Sequence, residues 1–114
     1  MRIGEVGLMT RDAVRLAAFY KWLLGVENGS EDAIHQVILA EETMLTVCYD
    51  GGASANGGNV CLAFTAAGVE AESRRLLEYG VQILEPPKVR PWGMKNLSFY
   101  DPDGNRVFFR SPLQ

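Results

Sequence analysis

The sequence predicts an α+β fold made of two similar modules, each with the element order β-α-β-β-β. Two amphipathic helical segments each follow a strand-like apolar run and end at a glycine. Between them, residues 51–58 form a small, polar, glycine-rich segment typical of a linker. The run Asp-Pro-Asp-Gly, residues 101–104, joins two aromatic-rich segments and is typical of the turn of an antiparallel hairpin. The repeat therefore rests on the order of elements, not on residue identity.

The length of 114 residues predicts one domain. We expect module one to span residues 1–50, the linker residues 51–58 and module two residues 59–110.

The first module begins with a strand over residues 2–9, followed by a helix that runs to Leu24 and stops at Gly25. Residues 34–40 and 43–49 are β-branched and apolar, which predicts a hairpin. The apolar face of the helix, with spacing i, i+3, i+4 and i+7, consists of Leu16, Phe19, Tyr20 and Leu23.

The second module repeats this order with a strand over residues 59–65 and a helix over residues 69–79 that ends at Gly80. A short strand over residues 81–84 should stop at Pro86-Pro87, and a hairpin from Trp92 to Phe109 completes the module. The helix residues expected to face inward are Val69, Leu76 and Leu77.

The composition argues against several classes of partner. The formal net charge is −3 and no basic run is present, so we expect neither nucleic acid nor a membrane surface as partner. No apolar stretch approaches about 18 residues and the amino terminus lacks the apolar core of a signal peptide, which predicts a cytoplasmic protein. Cys48 and Cys61 form no C-x-x-C pair, which favours buried free thiols.

Several short motifs occur in an order that resembles the vicinal-oxygen-chelate superfamily, which includes glyoxalase I, bleomycin-resistance proteins and extradiol dioxygenases. They are Phe19-Tyr20 before Leu24-Gly25, Cys61-Leu62-Ala63-Phe64, Gly80-Val81, Trp92-Gly93 and Asp101-Pro102-Asp103-Gly104-Asn105. The resemblance spans nearly the whole chain. It implies two βαβββ modules whose mixed sheet curls around a cup-shaped cavity, commonly in a homodimer.

The same resemblance indicates where metal ligands would stand. Glu5 stands at the position of the first-strand His of metal-using members, and Cys61 stands at the position of a second His. Phe108 stands at the position of a Glu on the last strand. A fourth ligand, sometimes a Glu, would fall near Thr46. Every expected ligand is replaced, so the sequence predicts no metal and no other cofactor.

A rebuilt metal site is the alternative. Glu5, Cys48 and Cys61 carry donor atoms, and Cys48 shares a strand face with Thr46. The lone histidine, His35, lies where the resemblance implies no ligand. Glu5 itself could act as a general base or a salt-bridge partner.

Strand alternation places the remaining candidates on the cavity face. Phe108, Arg106 and Arg110 share one face of the last strand, and Asn96, Ser98 and Tyr100 should face the same way. Such a mixture of aromatic and polar side chains suits an organic ligand. The candidate ligand-binding residues are Glu5, Thr46, Cys48, Cys61, Trp92, Ser98, Tyr100, Arg106, Phe108 and Arg110.

Three functions remain open at this point. The leading hypothesis is a metal-independent binder of a small organic molecule, as in drug or metabolite sequestration. The second is a glyoxalase- or dioxygenase-like enzyme with an unorthodox metal site or Glu5 as its base. The third is a non-catalytic structural dimer whose cup is filled by its own side chains, Phe108 foremost.

Overall fold

A computed structural model describes residues 1–54 and 59–113. The chain divides into two units, residues 1–55 and 56–114, each with its own sheet and helix. Of the predicted linker, residues 55–58 lie outside the described residues, and Gly51 and Gly52 form a turn after the first unit's last strand.

The first unit packs one helix on a three-stranded mixed sheet. Its strand order is β1-β3-β2, with β1 parallel and β2 antiparallel to β3. The predicted apolar face of the helix is buried, as expected from its spacing. The elements are β1 (Glu5–Thr10), α1 (Ala13–Leu24), β2 (His35–Ala40) and β3 (Met44–Tyr49).

The first unit forms the three strands predicted from its individual segments, which is one strand fewer than the β-α-β-β-β order assigned to each module, and its described segment between α1 and β2 is irregular. There the Asp32 carboxylate accepts hydrogen bonds from the amides of Ile34 and His35 at 2.7 and 3.1 Å. These amide bonds hold the pKa of Asp32 below its usual value. Polar side chains that bond nearby backbone in this way favour turns over strands.

The second unit has the full β-α-β-β-β order. Its sheet order is β4-β7-β6-β5, with β4 parallel to β7 and the other pairs antiparallel. The elements are β4 (Leu62–Thr65), α2 (Val69–Tyr79), β5 (Ile83–Arg90), β6 (Met94–Tyr100) and β7 (Arg106–Pro112).

The turn between β6 and β7 forms as its residues predict. Asp101 Oδ1 accepts hydrogen bonds from the amides of Asp103 and Asn105, both at 2.9 Å, and Gly104 has a φ of 81°. The buried Asp101 thus fixes the hairpin that carries Phe108.

Two details of the second unit correct the sequence prediction. The strand expected to stop at Pro86-Pro87 continues to Arg90, with irregular register between Glu85 and Lys88. An edge strand tolerates proline because its outer amides need no partner strand. Leu77, expected to face inward, is 60% exposed, because the buried stripe of α2 passes through Leu76 instead.

One face of the second sheet forms the core against α2, and alternation leaves the other face for the candidate site. The buried core residues on the β6–β7 side are Leu97, Phe99, Val107 and Phe109. Neither described helix is long and apolar enough to cross a membrane.

Candidate functional site

A cavity of about 400 Å³ lies on the face of the second sheet that does not pack against α2. Its volume is within the usual range for small-molecule sites, roughly 300–1,000 Å³. The residues that line it are Ala63, Glu85, Arg90, Trp92, Met94, Asn96, Arg106, Phe108 and Arg110.

Strand register brings the lining residues together around Phe108. This residue on β7 lies opposite Ser98 on β6 and opposite Ala63 on β4. Arg106 and Arg110 share its face at i−2 and i+2. The small Ala63 side chain leaves room beside the Phe108 ring.

Two aromatic rings border the cavity. Trp92 lies in the turn between β5 and β6 and is 67% exposed. The next residue, Gly93, has a φ of 82°, a conformation that glycine adopts without strain, and so helps to form this tight turn. The guanidinium carbon of Arg106 lies 5.0 Å from the centroid of the Phe108 ring, within cation–π range.

One carboxylate and two guanidinium groups form an ion-pair network at the cavity. Glu85 accepts hydrogen bonds from Arg90 at 3.1 Å and from Arg106 at 2.6 Å. The hydrogen bond from Arg90 holds the pKa of Glu85 below its usual value, and the charges of Arg90, Arg106 and Lys88 act in the same direction. Glu85 is therefore ionised at neutral pH and committed to two arginines.

The third guanidinium, on Arg110, has a different kind of partner. Its Nη2 donates to the thioether sulfur of Met94 at 3.4 Å, a weak acceptor. No carboxylate of the described residues lies within ion-pair distance of it. Arg110 therefore presents a positive charge to the cavity without a matching negative one.

A second cluster of candidate residues lies in the first unit. Thr46 is fully buried, and its hydroxyl donates a hydrogen bond to Glu5 Oε2 at 2.8 Å. The thiol of Cys48 donates to the Thr46 hydroxyl at 3.8 Å. The structure thus brings Glu5, Thr46 and Cys48 together. The carboxylate that pairs with Arg106 is that of Glu85, not that of Glu5.

Of the candidate residues predicted in the second module, some line the cavity and others do not. Trp92, Arg106, Phe108 and Arg110 line the cavity. Ser98 shares their face but is fully buried, and its hydroxyl has no hydrogen-bond partner within residues 1–54 and 59–113. Tyr100 is 45% exposed and pairs with Arg106 across the strands. The remaining candidate is Cys61, a free thiol just before β4 that is exposed, so the prediction of a buried thiol is wrong at this position.

Sequence reasoning missed Glu85, Arg90 and Met94 as lining residues. The first two lie on β5, whose strand was expected to end at the two prolines. Glu85 and Arg90 are five residues apart, so strict alternation would place them on opposite faces; the irregular register between Glu85 and Lys88 brings them together instead.

The residues present do not fit a divalent metal ion in the second unit. Phe108 has no donor atom, and three guanidinium groups face one carboxylate that is already paired. Within the described parts of the chain, no three His, Cys, Asp or Glu residues are gathered as a metal site requires. A positive cavity of this kind repels a metal cation.

One protein-family model matches nearly the whole chain. The model of the Glyoxalase/Bleomycin resistance protein/Dioxygenase superfamily matches residues 2–109. The chain belongs to this superfamily. No curated protein matches it at a significant level.

Solved structures, some of them described as superfamily members, share the fold. A glyoxalase/dioxygenase from Nostoc punctiforme matches with a TM-score of 0.79 and 18% identity, covering 99% of this chain and 92% of its own. Lactoylglutathione lyase from Agrobacterium tumefaciens matches with a TM-score of 0.71 and 21% identity, over 96% and 92% of the chains. A protein of unknown function from Agrobacterium tumefaciens str. C58 has a TM-score of 0.79 and 24% identity, with 99% and 95% covered. At these identities the similarity shows the fold alone.

Proposed function

We propose that this superfamily member binds a small organic molecule without a metal ion, in the cavity of the second unit. The observation that carries the proposal is Phe108, which stands where the resemblance implies a ligand carboxylate and lies beneath the Arg106 guanidinium. A ring and a cation at this position bind organic groups and do not coordinate metals.

The shape and chemistry of the cavity support binding. It combines the aromatic rings of Trp92 and Phe108 with a few polar groups of fixed orientation, as small-molecule sites do. Its volume of about 400 Å³ counts against the alternative of a cup filled by its own side chains. We also propose that the protein is cytoplasmic and forms a homodimer, and sedimentation of the purified chain tests the dimer.

Melting curves of chelator-treated protein test the proposal. A ligand at 100 times its Kd should stabilise the fold by about 2.7 kcal/mol. We expect a shift from at least one of three compound classes, aromatic, cationic and thiol-conjugate, with no change when chelator is present. No shift from any class, or a shift that needs added metal, would overturn the proposal.

A glyoxalase- or dioxygenase-like enzyme is the second candidate, favoured by the contact of Glu5 and Cys48 with Thr46. This cluster offers a carboxylate and a thiol as bases or donors. Elemental analysis of protein purified without added metal decides between the two. Near-stoichiometric Zn, Ni, Mn or Fe that is lost in Glu5→Ala or Cys48→Ala would favour the metal-dependent enzyme over the metal-free binder.

A further inference from the structure

We propose that the ligand of this cavity is a planar organic anion, an aromatic carboxylate held by Arg110 and Asn96 with its ring against Phe108 and Trp92. This inference rests on the proposed function and names the class of ligand.

The charge of the lining favours an anion. Arg90, Arg106 and Arg110 supply three guanidinium groups, and Glu85 supplies the one carboxylate. The cavity is therefore positive although the whole chain carries a net charge of −3. A positive cavity in an acidic protein concentrates anions at one place on its surface.

Arg110 and Asn96 form a ready pair of donors. They lie directly opposite each other on β7 and β6, so their side chains are neighbours on the cavity face. The buried Asn96 accepts a hydrogen bond at Oδ1 from Arg90 Nε at 2.9 Å, which fixes the orientation of its amide. Its amide nitrogen has no acceptor among the described residues. Two adjacent donors, one of them charged, match the two oxygens of a carboxylate.

A cationic ligand fits less well despite the aromatic rings. The Arg106 guanidinium already lies over the Phe108 ring, and Glu85 is committed to Arg90 and Arg106. A bound cation would have to displace these contacts and would face the uncompensated charge of Arg110. An anion would compete only with the weak hydrogen bond from Arg110 to the Met94 thioether.

Isothermal titration calorimetry with three probes of one shape tests the ligand class. The probes are 2-naphthoate, neutral 2-naphthamide and cationic 2-naphthylmethylammonium. We expect 2-naphthoate to bind at least about tenfold more tightly than the amide, since a charge-assisted hydrogen bond is lost. The ammonium should bind more weakly still.

Variants of Arg110 locate the anion. Arg110→Ala should weaken 2-naphthoate at least about tenfold and leave the amide unchanged, and Arg110→Lys, which keeps charge but not the planar fork, should fall between. Arg74→Ala, on an exposed position of α2, is the matched control because it removes the same charge outside the cavity. Melting curves report whether each variant is folded.

The outcomes separate the inference from the proposed function. Equal or tighter binding of the amide or the ammonium would overturn the anion while leaving small-molecule binding intact. Equal loss in Arg110→Ala and Arg74→Ala would overturn the assignment to Arg110. Failure of all three naphthyl probes to bind would overturn the inference. The proposed function would then be tested separately by the melting curves with the aromatic, cationic and thiol-conjugate compounds.

Discussion

The Arg106 guanidinium lies over the ring of Phe108, two residues away on the same face of β7, with 5.0 Å from its carbon to the ring centroid. The same arginine donates a hydrogen bond to Glu85 on β5. Phe108 is thereby part of a charged network that spans the sheet from its edge strand to β7.

Replacing Phe108 with a carboxylate should weaken anion binding. Phe108→Glu places a carboxylate beside Arg106. The new carboxylate would pair with the Arg106 guanidinium and would repel a bound anion. We expect the affinity for 2-naphthoate, measured by calorimetry, to fall more than about tenfold. Phe108→Leu keeps an apolar side chain and should lose only the contribution of the ring, about 0.5–1.5 kcal/mol. Unchanged affinity in Phe108→Glu would exclude this ring from the site.

The pKa of Glu85 predicts a pH-dependent contribution to stability. Because its folded pKa lies below the usual 4.5, the contribution is complete above that value and is lost as the pH falls through the folded pKa. The free energy of unfolding of wild type minus that of Glu85→Gln should therefore be constant near neutral pH and shrink in acid. Urea unfolding at a series of pH values measures it. Glu78→Gln, at an exposed position of α2, is the control, and an equal pH profile in both variants would contradict the prediction.

Two buried hydroxyl groups should respond oppositely to removal. Thr46 donates a hydrogen bond to Glu5, so Thr46→Val should lower the free energy of unfolding by about 1 kcal/mol. The Ser98 hydroxyl has no partner within the described ranges, so Ser98→Ala should leave stability unchanged or raise it by up to about 1 kcal/mol. Chemical denaturation measures both. A larger loss in Ser98→Ala than in Thr46→Val would show that Ser98 is hydrogen-bonded after all.

Adjacent leucines of α2 should differ sharply in their effect. Leu76 is fully buried, so Leu76→Ala should cost about 2–5 kcal/mol of stability through lost burial and a cavity. Leu77 is 60% exposed, and Leu77→Ala should change stability by less than about 0.5 kcal/mol. Urea midpoints compare the two variants directly. Similar losses would mean that Leu77 is buried in solution, for instance against a second subunit.

Local sequence predicted much of the fold and part of the site. The α2 bounds, its stop at Gly80 and the Asp101 turn follow from residues within a few positions of each other. The shared face of Arg106, Phe108 and Arg110 follows from alternation along one strand. The extension of β5 past Pro86-Pro87 could not be predicted from local sequence. Proline is excluded from central strands but accepted in edge strands, and nothing in the local sequence identified β5 as an edge strand.

The sequence by itself determined the superfamily, the two-module order and the replacement of the expected ligand carboxylate by Phe108, because each depends on the type of residue at a position in the chain. Only the tertiary structure decided which charges meet. Glu85 pairs with Arg90 and Arg106, and Arg110 contacts a thioether, because strand register sets the distances between residues far apart in sequence. Electrostatic energy depends on those distances, so the positive character of the cavity emerges only from the folded sheet.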